Sequence, residues 1–142
     1  MNFVIDTNVL VAAVRSPSGA SAEILRLAIQ REIGVLCSVP LFLEYESVLL
    51  RPEQLLAASV DSKDINNLLN VLAGVIKRVE IQFLWRPQLR DANDDMVLEV
   101  AVNGLGLGQP VTILTTNLKD FSPQASSLGI LVLTPRQFFQ GV

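Results

Sequence analysis

Apolar positions along this chain fall into two alternating kinds of run. Short continuous stretches occupy residues 3–5, 35–37, 111–115 and 130–133, and residues 79–83 alternate apolar with polar. Stretches of that length and character are expected to be strands. Between them apolar residues recur three and four apart, as on one face of a helix. Ile24, Leu27 and Ala28 mark such a face within residues 20–31. Ile65, Leu68, Leu69, Leu72 and Ile76 mark the clearest one, opened by Asp61 and Asp64 and closed by Lys77 and Arg78. A short apolar helix is expected over residues 8–14, broken by Arg15-Ser16-Pro17-Ser18-Gly19. Ser38 and Pro40 announce another over residues 41–50, which Arg51-Pro52 closes.

The remaining segments are less patterned. Residues 53–60 suit a short helix or turn, and residues 84–90 a loop carrying Trp85, Arg86 and Pro87. Asp91 leads into a helix striped by Val97, Leu98, Val100 and Ala101, which Gly104, Gly106 and Gly108 stop. Those glycines follow a helix and precede a strand, the wrong order for a dinucleotide-binding loop. A polar loop after Phe121 and a last short helix over 136–140 complete the chain. Strands alternate with helices and none pairs through a tight hairpin. The expected fold is α/β, a single domain over residues 1–142, with a parallel sheet covered by helices on both faces.

Composition narrows the chemistry. Half of the 142 residues are hydrophobic and 18% are charged, which suits one globular core. No apolar run approaches the roughly 20 residues of a membrane helix, and the first residues enter a strand without a basic leader. A cytoplasmic protein, with no membrane partner, is expected. Cys37 is the single cysteine, so intrachain disulfides and thiolate zinc clusters are excluded. There is no histidine, which removes Ser-His-Asp and Cys-His nucleophile systems. Chemistry must rest on carboxylates, hydroxyls, amides, Lys or Arg, and carboxylates favour hard ions such as Mg²⁺ or Mn²⁺. A net charge of −3 argues against a strongly electrostatic nucleic-acid binder but leaves room for a metal-dependent nuclease.

The acids fall in a pattern. Asp6 ends the first strand, Glu44 lies in the helix after the second, and Asp91, Asp94 and Asp95 open the helix after the third. Asn117 and Asp120 follow the fourth. In a parallel α/β sheet all these positions share the carboxyl rim. Crowded carboxylates raise one another's pKa, and a divalent cation reverses that. The reaction that suits such a site is hydrolysis of a phosphodiester by a metal-activated water, leaving a 5′-phosphate and a 3′-hydroxyl. Each acid also has a plainer role open to it. Asp6 could cap the next helix, Asp91, Asp94 and Asp95 could complement a helix dipole, and periodicity does not separate Glu44 from Glu46.

Val4-Ile5-Asp6-Thr7-Asn8, Glu44 in an apolar helix ending at Arg51-Pro52, Arg90-Asp91 through Asp94, and Thr115-Thr116-Asn117-Leu118-Lys119-Asp120-Phe121 together resemble the PIN domain, in order and over nearly the whole chain. The resemblance is closest to the bacterial and archaeal branch of toxins from type II toxin–antitoxin pairs. It implies a three-layer α/β/α domain with a central five-stranded parallel sheet, and a Mg²⁺- or Mn²⁺-dependent ribonuclease acting on RNA, often homodimeric and held by an antitoxin protein. It selects Asp6, Glu44, Asp94 and Asp120 as catalytic, with Asp6, Glu44 and Asp94 as metal ligands. Thr7, Asn8, Asp95, Thr115 and Asn117 would support them, and Asp91 would cap. Arg15, Arg51, Arg90 and Lys119 are the candidates for gripping RNA phosphates. Two departures stand out: Asn117 lacks an aspartate's charge, and the glycine-rich segment 103–110 is longer than the family's usual connection. Two rivals follow from the residues. A phosphatase-type hydrolase would need Asp-x-Asp, where Asn8 stands, and Asn117 with the acidic balance fits a binding module with a weakened site.

Overall fold

The computed structural model describes residues 1–82 and 91–141. Five parallel strands form one sheet in the order β3-β2-β1-β4-β5, made of Asn2–Ile5, Gly34–Cys37, Lys77–Arg78, Val111–Leu114 and Leu131–Leu133 as β1 to β5. Val4 pairs with Leu36 on one side and with Ile113 on the other, which makes β1 the central strand. Successive side chains of a strand point to opposite faces, and all four residues of β1 are buried. Both faces of the sheet are therefore covered. This is the architecture that continuous apolar runs dictate.

Eight α-helices are described: α1 Thr7–Arg15, α2 Ala20–Ile29, α3 Val39–Leu49, α4 Pro52–Ala58, α5 Ser62–Val75, α6 Ala92–Gly104, α7 Ser122–Ser127 and α8 Pro135–Phe139. Their starts follow local chemistry. Ser38 accepts a hydrogen bond from Leu41 N–H at 3.2 Å and sets α3, with Pro40 in the first turn. Asp61 and Asp64 close a reciprocal capping box on α5, at 2.8 and 3.1 Å. Helix α6 packs across β1, β4 and β2. Gly104, expected to stop α6, is its last residue and is buried. A Cβ there would lie 2.5 Å from Leu36 Cδ1, so glycine allows the helix to approach the sheet. Gly108, at φ +86°, makes the turn that leaves the helical segment.

Two elements differ from the pattern-based expectation. The third strand is Lys77–Arg78, with Val79 N–H still bonded to the Cys37 carbonyl at 2.8 Å, rather than residues 79–83. Lys77 and Arg78 thus belong to the sheet edge and not to the helix end, because α5 stops at Val75. A two-residue strand is too short to show a period. The segment after Phe121, expected as a polar loop, contains α7, which buries Ala125 alone. Trp85, Arg86, Pro87 and Arg90 lie outside the described residues.

Candidate metal centre

From β1 the sheet grows to one side through β2 and β3 and then to the other through β4 and β5, which places a topological switch between β1 and β4. Ligands of open α/β sheets bind at the carboxyl ends beside such a switch. Asp6 stands there, immediately after β1, and is 6% exposed. Although it occupies the position that precedes α1, its side chain makes no capping bond. Asp91, by contrast, does cap, accepting from Asn93 N–H at 2.9 Å.

The Asp6 carboxylate is held from the next strand. Thr115 Oγ1 donates to Asp6 Oδ2 at 2.8 Å, and the same oxygen accepts from Asn8 Nδ2 at 3.4 Å and from Asn117 N–H at 3.1 Å. Asn8 Oδ1 takes the Thr116 N–H at 3.1 Å. Thr115 spends its single proton on Asp6, and its oxygen accepts from Asn8 of α1 and from the loop at Asn117, which fixes the carboxylate's direction. Thr7 contributes through its backbone N–H to Asp6. Below the site lies Tyr45, fully buried, whose hydroxyl donates to the carbonyl of Ile5. Nothing in the sequence pattern marks Tyr45 as part of this region. Its place at the centre of the buried row Leu41, Tyr45 and Leu49 of α3 is what brings it there.

Electrostatics shows which acids meet. Burial pushes the Asp6 carboxyl up from 3.8 to about 6; the Thr115 and Thr7 hydrogen bonds oppose this, and the charges of Asp120 and Glu44 add to it. Burial likewise pushes Asp94 up from 3.8 to about 7, assisted by Asp6, Asp120, Asp91 and Asp95 in that order. Asp6 thus feels Asp120 and Glu44, and Asp94 feels Asp6 and Asp120, although the four acids come from separate segments. Glu44 is half-buried beside Tyr45, while Glu46, about 200° further round the helix, is exposed. The tertiary fold thus separates two glutamates that periodicity leaves equal.

Asp94, Asp120, Asn117 and Lys119 line one cleft of about 620 Å³. Asp95 turns inward and is 2% exposed, as is Glu99 one helical turn later, a buried acid that the sequence pattern hides among apolar neighbours. Arg15 and Arg51 are not among the residues that line this cleft. Arg15 ends α1, roughly 13 Å along the helix from Asp6, and its Nε binds Gln54 Oε1 at 2.7 Å. Arg51 follows α3, roughly 10 Å along the helix axis from Glu44.

All the oxygen donors are hard, and their mutual repulsion is the charge imbalance a divalent cation relieves. The residues fit Mg²⁺ or Mn²⁺ in that respect. Among the described residues no three acids already form a closed ligand set. The carboxylates would have to draw in, with water completing the shell, as Mg²⁺ sites usually require.

The fold is thus a parallel α/β domain with carboxylates gathered at its switch point. Residues 2–119 match the family model described as PIN domain, so the chain belongs to the PIN domain family, whose members are generally nucleases and typically use divalent metals. Among curated proteins nothing matches the chain. Among solved structures it is similar to a chain of VapBC2 from Rickettsia felis bound to a DNA fragment from its promoter, at 15% identity and TM-score 0.60, covering 94% of this chain and 98% of that one. It is also similar to a chain of FitAcB from Neisseria gonorrhoeae, at 17% identity and TM-score 0.53, with the same coverage. At that identity the likeness concerns the fold.

Proposed function

We propose that this chain is a Mg²⁺- or Mn²⁺-dependent endoribonuclease and the toxin of a toxin–antitoxin pair. The observation that carries the proposal is the convergence of Asp6, Glu44, Asp94 and Asp120 on one rim, with Asp6 held by Thr115 instead of capping α1. Asp6, Glu44 and Asp94 would hold the cation, Asp6 most rigidly because Thr115 directs its oxygen. When bound, the cation supplies Lewis acidity toward the phosphodiester and acidifies water. Asp120 would accept the proton of the attacking water and Lys119 would hold a phosphate oxygen, a reading supported by their place in the lining of one cleft. Asp95 supports the site from within α6, and Asn117 hydrogen-bonds the Thr115 hydroxyl through its backbone.

The names VapBC2 and FitAcB, both two-component assemblies, support an antitoxin as partner. Val39 and Leu43, 47% and 56% exposed, flank an apolar hollow of about 210 Å³ with Phe42 and Ile76 and support a homodimer. No described helix is long and apolar enough to cross a membrane. The test is cleavage of single-stranded RNA by purified, antitoxin-free protein with Mn²⁺, with EDTA and with Asp6→Asn as controls. Metal-dependent products bearing 5′-phosphates, absent with Asp6→Asn, are expected. Equal cleavage by the variant would overturn the assignment.

A further inference from the structure

One peptide group carries Asp6 into the site, and two different elements hold its ends. Its N–H, belonging to Asp6, donates to the Leu114 carbonyl at 2.9 Å. Its C=O, belonging to Ile5, accepts from the Tyr45 hydroxyl. The N–H and C=O of a trans peptide point in opposite directions, so β4 grips this group from one side and α3 from the other. The second grip does not come from the sheet. Ile5 still pairs with Leu114 of β4, but the pairing of β1 with β2 ends at Val4 and Leu36. Beyond that point the chain turns into α3 at the Ser38 cap, and Tyr45, about two helical turns later, supplies a side-chain donor. Ile5 and Tyr45 are each 1% exposed, so solvent cannot replace the bond if the hydroxyl is removed.

Packing alone does not ask for that hydroxyl. Leu41, Tyr45 and Leu49 form a row buried throughout, and phenylalanine would fill the same place without bringing a polar atom into the core. What the hydroxyl adds is a fixed link between two acids. Asp6 directly follows the residue whose carbonyl Tyr45 holds, and Glu44 directly precedes Tyr45 on α3. Thr115 sets the direction of the Asp6 carboxylate, and the Tyr45 bond sets how far α3 stands from the end of β1. We infer that Tyr45 is the positioning residue of this pair, its hydroxyl fixing the spacing at which Asp6 and Glu44 meet a divalent cation. The inference rests on the metal-dependent nuclease proposal and extends it to the choice of ion. Spacing matters because Mg²⁺ demands a near-ideal octahedron at about 2.0–2.1 Å, whereas Ca²⁺ accepts looser shells at about 2.3–2.6 Å. A slack α3 therefore costs Mg²⁺ more than Ca²⁺.

The experiment compares the full chain with Tyr45→Phe and with Leu49→Val, a control that loosens the same buried row one turn away and leaves the hydroxyl in place. Mn²⁺ binding is followed by electron paramagnetic resonance, with Mg²⁺ and Ca²⁺ titrated as competitors. Tyr45→Phe should weaken Mg²⁺ and Mn²⁺ binding roughly tenfold and Ca²⁺ binding by less than about twofold, lowering the selectivity for Mg²⁺ over Ca²⁺. Leu49→Val should lower Tm and keep all three affinities. In a chain carrying Glu44→Gln, Tyr45→Phe should cost less metal affinity than it does alone, because the hydroxyl acts in part through that glutamate. Tyr45→para-aminophenylalanine keeps a donor at the end of the ring. Parental selectivity in that variant supports the inference, and tenfold weaker Mg²⁺ binding in it at unchanged Tm overturns it, whether or not Tyr45→Phe folds. Unchanged selectivity in Tyr45→Phe, or an equal loss in Leu49→Val, would overturn the inference and leave the nuclease proposal standing. A parent chain that binds none of the three ions would overturn both.

Discussion

Asp6→Asn should stabilise the metal-free protein while abolishing its metal response. The carboxyl of Asp6 rises from 3.8 to about 6 on folding, mainly through burial. A displacement of roughly two pH units corresponds to about 3 kcal/mol of differential interaction. Only 6% of the residue is exposed, so solvent screens little of this. The sign follows from linkage. A carboxyl that titrates higher in the folded state contributes most below the unfolded value near 3.8, and that contribution is lost as pH rises through about 6. At pH 7.5 in EDTA the wild-type chain therefore carries the full cost of the charge. Asn keeps an oxygen that can accept from Thr115 and carries none of it. A gain of about 2–3 kcal/mol, or roughly 6–10 °C in Tm, is expected at that pH. The gap should close as pH falls toward 4, where wild-type Asp6 is itself neutral. Mn²⁺ should reverse the order, stabilising the wild type and leaving the variant where it was. Thermal melts of both proteins from pH 4 to 8, with EDTA and with Mn²⁺, give the answer. A variant less stable than wild type at pH 7.5 in EDTA, or a gap that does not shrink on acidification, would refute the electrostatic argument.

Glu44→Gln should weaken Mn²⁺ binding by tenfold or more, read by calorimetry, and Glu46→Gln should leave it within about twofold; equal losses would remove the distinction drawn from burial. Thr115→Val preserves shape but leaves the Asp6 carboxylate without its donor. It should cost about 1.5–3 kcal/mol of stability and lower metal affinity roughly tenfold near pH 7, and wild-type affinity would show that the hydroxyl does not orient Asp6. Leu43→Glu should convert a homodimer into monomers on size-exclusion chromatography with little change in Tm; an unchanged elution volume would place the dimer elsewhere or deny it.

The sequence by itself determined the fold class, because continuous apolar runs alternating with helical stripes have few solutions other than a parallel sheet with helices on both faces. It also brought Asp6, Glu44, Asp94 and Asp120 to one edge, since strand ends and the helix starts that follow them share a rim whatever the details of packing. The caps at Ser38 and Asp61 were legible too, being local in the chain. Contacts between distant residues were not. That Asp6 leaves its capping role depends on Thr115, 109 positions away, and no period in the sequence connects them. Glu44 and Glu46 became distinct only when α3 laid Tyr45 against the end of β1, turning one glutamate toward Asp6 and the other to solvent. The third strand was misplaced because its pairing spans two residues, fewer than a pattern needs, and α7 was missed because one buried alanine makes no stripe. Local sequence chemistry places each group on an element, and long-range packing alone decides which groups face one another.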